Sequence, residues 1–142
     1  MLIAAAQLRP VAGDVAGNLR AHAGLVSLAA SRGAGLVFFP ELSLTGYEPT
    51  LAARLAVDPG DPLPDSLLEL QAQADAKGIV IAVGLPTRAP DGIRITMATL
   101  RPGASPWLYS KQWLHADESP YFVPGPGRAI LRAGGHAIAP AI

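Results

Sequence analysis

An α/β fold is predicted for this chain, and three observations predict it. A short apolar run, a capped amphipathic stretch and a second apolar run follow one another between Leu2 and Phe39. A strand–helix–strand order of this kind joins a parallel pair through a right-handed crossover. A further helical stretch then leads into another wholly apolar run, Ile79-Val80-Ile81-Ala82-Val83. The length, 142 residues, suits one domain able to bury roughly two thirds of its unfolded surface.

Residues Leu2 to Ala6 read as the first strand, closed by a turn at Pro10–Gly13. Asp14 can cap the helix that follows, because its carboxylate accepts from an otherwise unpaired backbone N–H. From Val15 to Arg32 the apolar residues Leu19, Ala23, Val26 and Ala30 recur at three- and four-residue steps, and Gly33 supplies the stop. Leu36-Val37-Phe38-Phe39 is continuous apolar sequence, as expected of a strand covered on both faces. Ser43 to Pro64, rich in Pro, Gly and Asp, reads as a long loop with a short helix near Leu51–Ala56; loops of that length are usually functional or mobile. A second helix is expected from Asp65 to Lys77, with Leu67, Leu70, Gln71 and Ala74 on one face and Gly78 at its end. Ile93–Leu100 and Trp107–Ser110 read as an antiparallel hairpin turned at Pro102-Gly103. Two more strand-like pieces, Ala129–Arg132 and His136–Ile142, flank Gly134-Gly135. Natural domains rarely stop inside an apolar strand, so the chain is expected to be the amino-terminal portion of a longer domain.

Composition narrows the functional classes. Eleven basic residues balance eleven acidic ones, which gives no electrostatic case for nucleic acid or an anionic membrane. No run of about 18 apolar residues is present, and the apolar start lacks a basic leader. There is no cysteine, so disulfides and thiolate metal sites are excluded and a cytoplasmic location is expected. His22, His115 and His136 show no metal-ligand spacing. Gly125-Pro126-Gly127 is a turn and not a phosphate loop, because proline removes a needed N–H.

Two segments carry the chemistry. Glu41 follows Pro40 directly after an apolar strand, and ligands in open α/β sheets gather at the carboxyl ends of strands. Lys111 ends another strand, and Glu118 lies seven residues further on. A lysine in apolar surroundings can act as a fixed charge facing a developing oxyanion, and Glu118 can orient it. Taken singly, Glu41 also fits a solvated loop acid, Lys111 a snorkelling strand-end lysine and Glu118 a surface acid. No Ser-His-Asp order supports His115 as a base, which leaves it a structural or rim role.

Taken together these segments resemble the carbon–nitrogen hydrolase (nitrilase) superfamily. The resemblance rests on Gln7, Gly13-Asp14 with Asn18, Pro40-Glu41-Leu42 with Thr45-Gly46-Tyr47, Tyr109-Ser110-Lys111 with Leu114 and Glu118, and Phe122-Pro124-Gly125. It runs over essentially the whole chain in the family's order. It implies part of a four-layer α-β-β-α sandwich whose carboxyl-terminal part lies beyond this chain. It implies Glu41 as general base, Lys111 as the group that stabilises the tetrahedral intermediate, and Glu118 as the acid supporting both. Tyr47 and His115, beside these positions, are expected to contact substrate. The implied substrate is a small amide or nitrile-type molecule, with no cofactor, nucleic acid or membrane partner, and the full-length protein is expected to form homo-oligomers. The family's nucleophile is a cysteine shortly after a segment resembling His136–Ile142, so this chain alone is expected to be inactive. Ile95-Thr96-Met97 stands where the family often has a Tyr-Asn-Ser-like group, and that strand supports no particular substrate. Two other readings remain open: a non-catalytic relative acting as an interaction module, and an unrelated α/β enzyme using Glu41 and Lys111 for proton transfer.

Overall fold

The computed structural model describes residues 1–59 and 63–142. The first strand, β1 (Ile3–Ala5), leads through helix α1 (Val15–Ser31) to β2 (Leu36–Phe38). A 3-10 turn (Pro49–Leu51), the short helix α2 (Ala52–Leu55) and helix α3 (Asp65–Lys77) precede β3 (Val80–Ala89). Strands β4 (Gly92–Arg101) and β5 (Ala104–Ser110) follow, then β6 (Leu131–Ala133) and β7 (His136–Ile138). The part of the expected 43–64 loop that falls on 60–62 lies outside the described residues.

Strands β1 to β5 form one sheet in sequence order. The first three are parallel, with Ile3 opposite Leu36 and Leu36 opposite Val80. The last three are antiparallel, with Ile81 opposite Leu100 and Thr96 opposite Ser110. Both longer helices cover one face. Leu19 and Val26 of α1 and Leu67, Leu70 and Ala74 of α3 share a buried cluster with Val37, Ile81, Val83, Ala98 and Leu100. The β6–β7 hairpin covers part of the other face, where Leu131 and Ala133 pack with Leu36, Val80 and Trp107. One helical layer and one sheet of the expected sandwich are therefore present.

The helix boundaries follow from local chemistry. The Asp14 carboxylate accepts from Gly17 N at 2.9 Å, and Gly78 closes α3 in the left-handed conformation at φ 63°. Strand β3 runs six residues past the expected Val83, through Gly84 and Pro86, two residues that usually end strands. The reason is that β2 stops at Phe38, opposite Ala82, so Pro86 needs no N–H on that side. The last strand is shorter than expected. It stops at Ile138, and Pro140, which has no N–H to offer a ladder, falls in the irregular tail.

Apolar surface remains uncovered: Leu2 is 57% exposed, Phe38 44% and Trp113 84%. Residues 1–142 in isolation are expected to be marginally stable and to self-associate. Light scattering after size exclusion checks this, and a monomer with a sharp cooperative melt would contradict it. No helix among the described residues is long and apolar enough to cross a membrane.

Candidate active site

The turn after β2 places Glu41. Phe39 N donates to Ala82 O at 2.9 Å, and Pro40 then has no N–H to continue the ladder. Ser43 N bonds Pro40 O at 3.1 Å, while Thr45 N and Gly46 N both reach Leu42 O, at 3.1 and 2.8 Å. These bonds hold Leu42 at φ 52°, a left-handed conformation costing a non-glycine residue about 1–2 kcal/mol. Its side chain is 2% exposed and packs with Ala52, Ile95 and Phe122. Burying a leucine contributes about 1.5–3 kcal/mol, enough to offset the strain.

Strand β3 supports this turn from below. Leu44 N donates to Gly84 O at 2.9 Å. A Cβ on residue 84 would lie 2.5 Å from both Leu42 N and Pro40 O, all backbone. Gly84→Ala is therefore expected to displace the Glu41 turn and to cost about 1–3 kcal/mol, measurable by urea denaturation.

Lys111 follows β5 directly and is pinned on both backbone sides, its N donating to Ile95 O at 2.9 Å and its O accepting from Gly125 N at 2.7 Å. Its Nζ lies 2.8 Å from Glu41 Oε2 and 2.8 Å from Glu118 Oε1. Glu118 is 1% exposed, and its carboxylate also accepts from Tyr47 OH at 2.9 Å and His115 N at 2.7 Å. A buried carboxylate stays ionised only when paired and hydrogen-bonded in this way.

The charge states follow. Burial would push the Glu118 carboxyl up, but the bonds from Lys111, His115 N and Tyr47, with the Lys111 charge, hold it below its usual 4.5. Burial would lower Lys111, but the bonds to Glu118 and Glu41 and their charges hold the ammonium above its usual 10.5. Burial, the bond to Glu118 and nearby carboxylates push Tyr47 up to about 12, so its phenol remains a donor.

These shifts set a pH profile for stability. Glu118, with its folded pKa lowered, contributes stability that is present above 4.5 and lost as pH falls through its folded value. Lys111, with its folded pKa raised, contributes stability present below 10.5 and lost as pH rises through its folded value. Buried His22, held below its usual 6.5 by desolvation despite its bond to Asn18, adds a loss that begins as pH falls below 6.5. Melting temperatures across pH are expected to show that earlier loss unchanged in Glu118→Gln while the loss below 4.5 is reduced.

All five sequence-expected residues converge here. Glu41, Lys111 and Glu118 form one ion-pair chain. Tyr47 joins it through its hydroxyl, and His115 joins it through its backbone while its side chain is exposed. Glu41 lines a cleft of about 250 Å³ with Phe38, Gly84, Met97 and Ile142. A larger cleft, about 530 Å³, lies between Leu63, Gln71, Asp75 and Ser105, away from every ion pair just described. Its carboxylate, Asp75, is taken up by Gly103 N and Gln71. The smaller cleft is the candidate site: it borders a carboxylate able to move a proton, beside an ammonium able to hold negative charge. Among the described residues no three His, Asp or Glu side chains gather as a metal site would need.

Sequence reasoning missed the support beneath Glu41, namely His22 and Ser43, both fully buried. The available signal was a polar pair, Asn18 and His22, at i,i+4 spacing on the apolar stripe of α1.

Comparison with known proteins places the fold. No curated protein matches the chain. Among solved structures it is similar to XC1258 from Xanthomonas campestris, a CN-hydrolase superfamily protein with an arsenic adduct in its active site. There the TM-score is 0.85 at 23% identity, covering 98% of this chain and 51% of that one. It is similar to an amidase from Nesterenkonia sp., with TM-score 0.82 at 26% identity, covering 96% of this chain and 53% of that one. The glutamine-dependent NAD+ synthetase of Acinetobacter baumannii matches with TM-score 0.78 at 24% identity, over 96% of this chain and 26% of that one. The likenesses below 25% identity show the fold alone. The chain spans about half the length of the first two structures. Residues 2–141 match the carbon-nitrogen hydrolase family, which sets aside an unrelated α/β enzyme: this chain belongs to the carbon-nitrogen hydrolases.

Proposed function

We propose that the protein hydrolyses carbon–nitrogen bonds of small amides, with Glu41 as general base, Lys111 as the charge facing the oxyanion and Glu118 as the group that holds Lys111. The observation that carries this reading is the Lys111 ammonium at 2.8 Å from both carboxylates, one of which borders a cleft. A cysteine-to-alanine mutant of the amidase from Nesterenkonia sp. AN1, solved in complex with butyramide, supports a short amide as substrate.

The reaction needs a nucleophile, and the sequence contains no cysteine. Ile142 lines the Glu41 cleft, so a thiol within a few residues after it would lie in reach of the carboxylate. In that arrangement Glu41 takes the thiol proton as sulfur attacks the amide carbon, and Lys111 faces the oxyanion. The C–N bond breaks, the proton passes from Glu41 to the leaving ammonia, and a thioester remains. Water, deprotonated by Glu41, then releases the carboxylic acid and restores the thiol. Tyr47 acts here by fixing Glu118, and His115 presents its backbone to the same carboxylate and its ring to the rim.

Ammonia release from short aliphatic amides tests the reading. The whole natural protein is expected to release ammonia, and residues 1–142 alone to release none. Turnover by residues 1–142, or no turnover of amides, nitriles or ureido compounds by the whole protein, would overturn it.

A further inference from the structure

Helix α1 holds the Glu41 turn through two buried polar side chains. Asn18 Nδ2 donates to Leu44 O at 3.0 Å, and His22 Nε2 lies 2.9 Å from Ser43 Oγ. His22 and Ser43 are both 0% exposed, and the His22 ring packs on Phe39 with centroids 4.2 Å apart. The proton positions follow from the partners. His22 Nδ1 is 2.7 Å from Asn18 O, and a carbonyl can only accept, so Nδ1 carries the hydrogen. In the neutral ring Nε2 is then a bare acceptor, and Ser43 O–H must donate to it. The Ser43 oxygen in turn receives Gly84 N–H at 3.4 Å. Each group in this relay has a single compatible role, so the relay is directional in a way that an apolar pair of equal volume would not be.

Ser43 stands two residues after Glu41, across the strained Leu42. Such strain persists only where the surroundings over-determine it. We infer that His22, in its Nδ1–H form, and Ser43 are positioning residues for Glu41, holding its carboxylate at the Lys111 ammonium through the Leu42 turn. The inference deepens the proposed amide hydrolysis and rests on it for its kinetic consequence.

Three readouts test it. Nitrogen-15 spectra of the histidine side chains are expected to show His22 as the Nδ1–H tautomer; an Nε2–H ring would overturn the relay without any variant being needed. In the whole natural protein, Ser43→Ala is expected to lower kcat by about tenfold or more with KM little changed, as small misplacements of a catalytic group do. His22→Gln, which offers an acceptor where Nε2 stood, is expected to retain more kcat than His22→Asn, which fills only the Nδ1 side. Equal kcat in both, or a wild-type kcat in Ser43→Ala, would overturn positioning. If the wild-type protein hydrolyses no amide, the functional reading fails by itself. The carboxyl carbon-13 titration of Glu41 then decides the positioning inference: a curve altered by Ser43→Ala supports it, and superimposable curves refute it.

Discussion

Glu41→Gln in the whole natural protein is expected to reduce amide turnover by about 10²–10⁴-fold, the usual contribution of a positioned general base. Glutamine keeps an oxygen that can accept from Lys111 Nζ, so the ladder around the turn has no reason to change. The Glu41 side chain is 22% exposed, and an ion pair with that access to water contributes about 1 kcal/mol or less. Stability should therefore hardly move while kcat collapses. Steady-state kinetics beside a thermal melt check this, and a parallel loss of both would point to a structural role for Glu41.

Lys111→Met is expected to do the opposite and damage fold and reaction together. Glu118, with 1% side-chain exposure, would lose its cation and keep only Tyr47 OH and His115 N as partners. Removing one partner of a buried pair costs about 3–5 kcal/mol, because the remaining charge is left without compensation. That is a large share of the 5–15 kcal/mol typical of a domain. The sign with pH is fixed: without the cation, burial pushes the Glu118 carboxyl of the variant up, so its protonation relieves the penalty and the deficit against wild type should begin to shrink while pH is still above 4.5. Lys111→Met combined with Glu118→Gln should recover part of the loss, since the stranded charge is gone. Denaturant titrations of the two single variants and the double variant measure the coupling directly.

Both predictions draw on contacts that sequence could indicate only in part. The helices were legible because their ends are local: Asp14 caps, and Gly33 and Gly78 stop. The parallel opening was legible from its apolar runs, and the hairpin of β4 and β5 from its turn. The six-residue extension of β3 was not legible, because Gly84 and Pro86 read as breakers. Their tolerance depends on where β2 ends, which is a tertiary fact. Glu41 and Lys111 stood out as candidates from their places after strands, and Glu118 joined them through the family resemblance. Their mutual distances were not legible, since 70 residues separate Glu41 from Lys111. Tyr47 was expected to meet substrate, yet its hydroxyl is turned on Glu118, 71 residues away. His22 gave the weakest sequence signal because a polar i,i+4 pair on an apolar stripe carries no motif. Ser43, brought beneath it by the turn, gives it a side-chain partner.

The most direct measurement is intact-mass and peptide mapping of the whole natural protein, acid-stopped during turnover of a short amide. An acyl adduct is expected on a cysteine outside residues 1–142, formed far more slowly in Glu41→Gln. Turnover with no adduct, or an adduct on any residue between 1 and 142, would contradict the proposed mechanism.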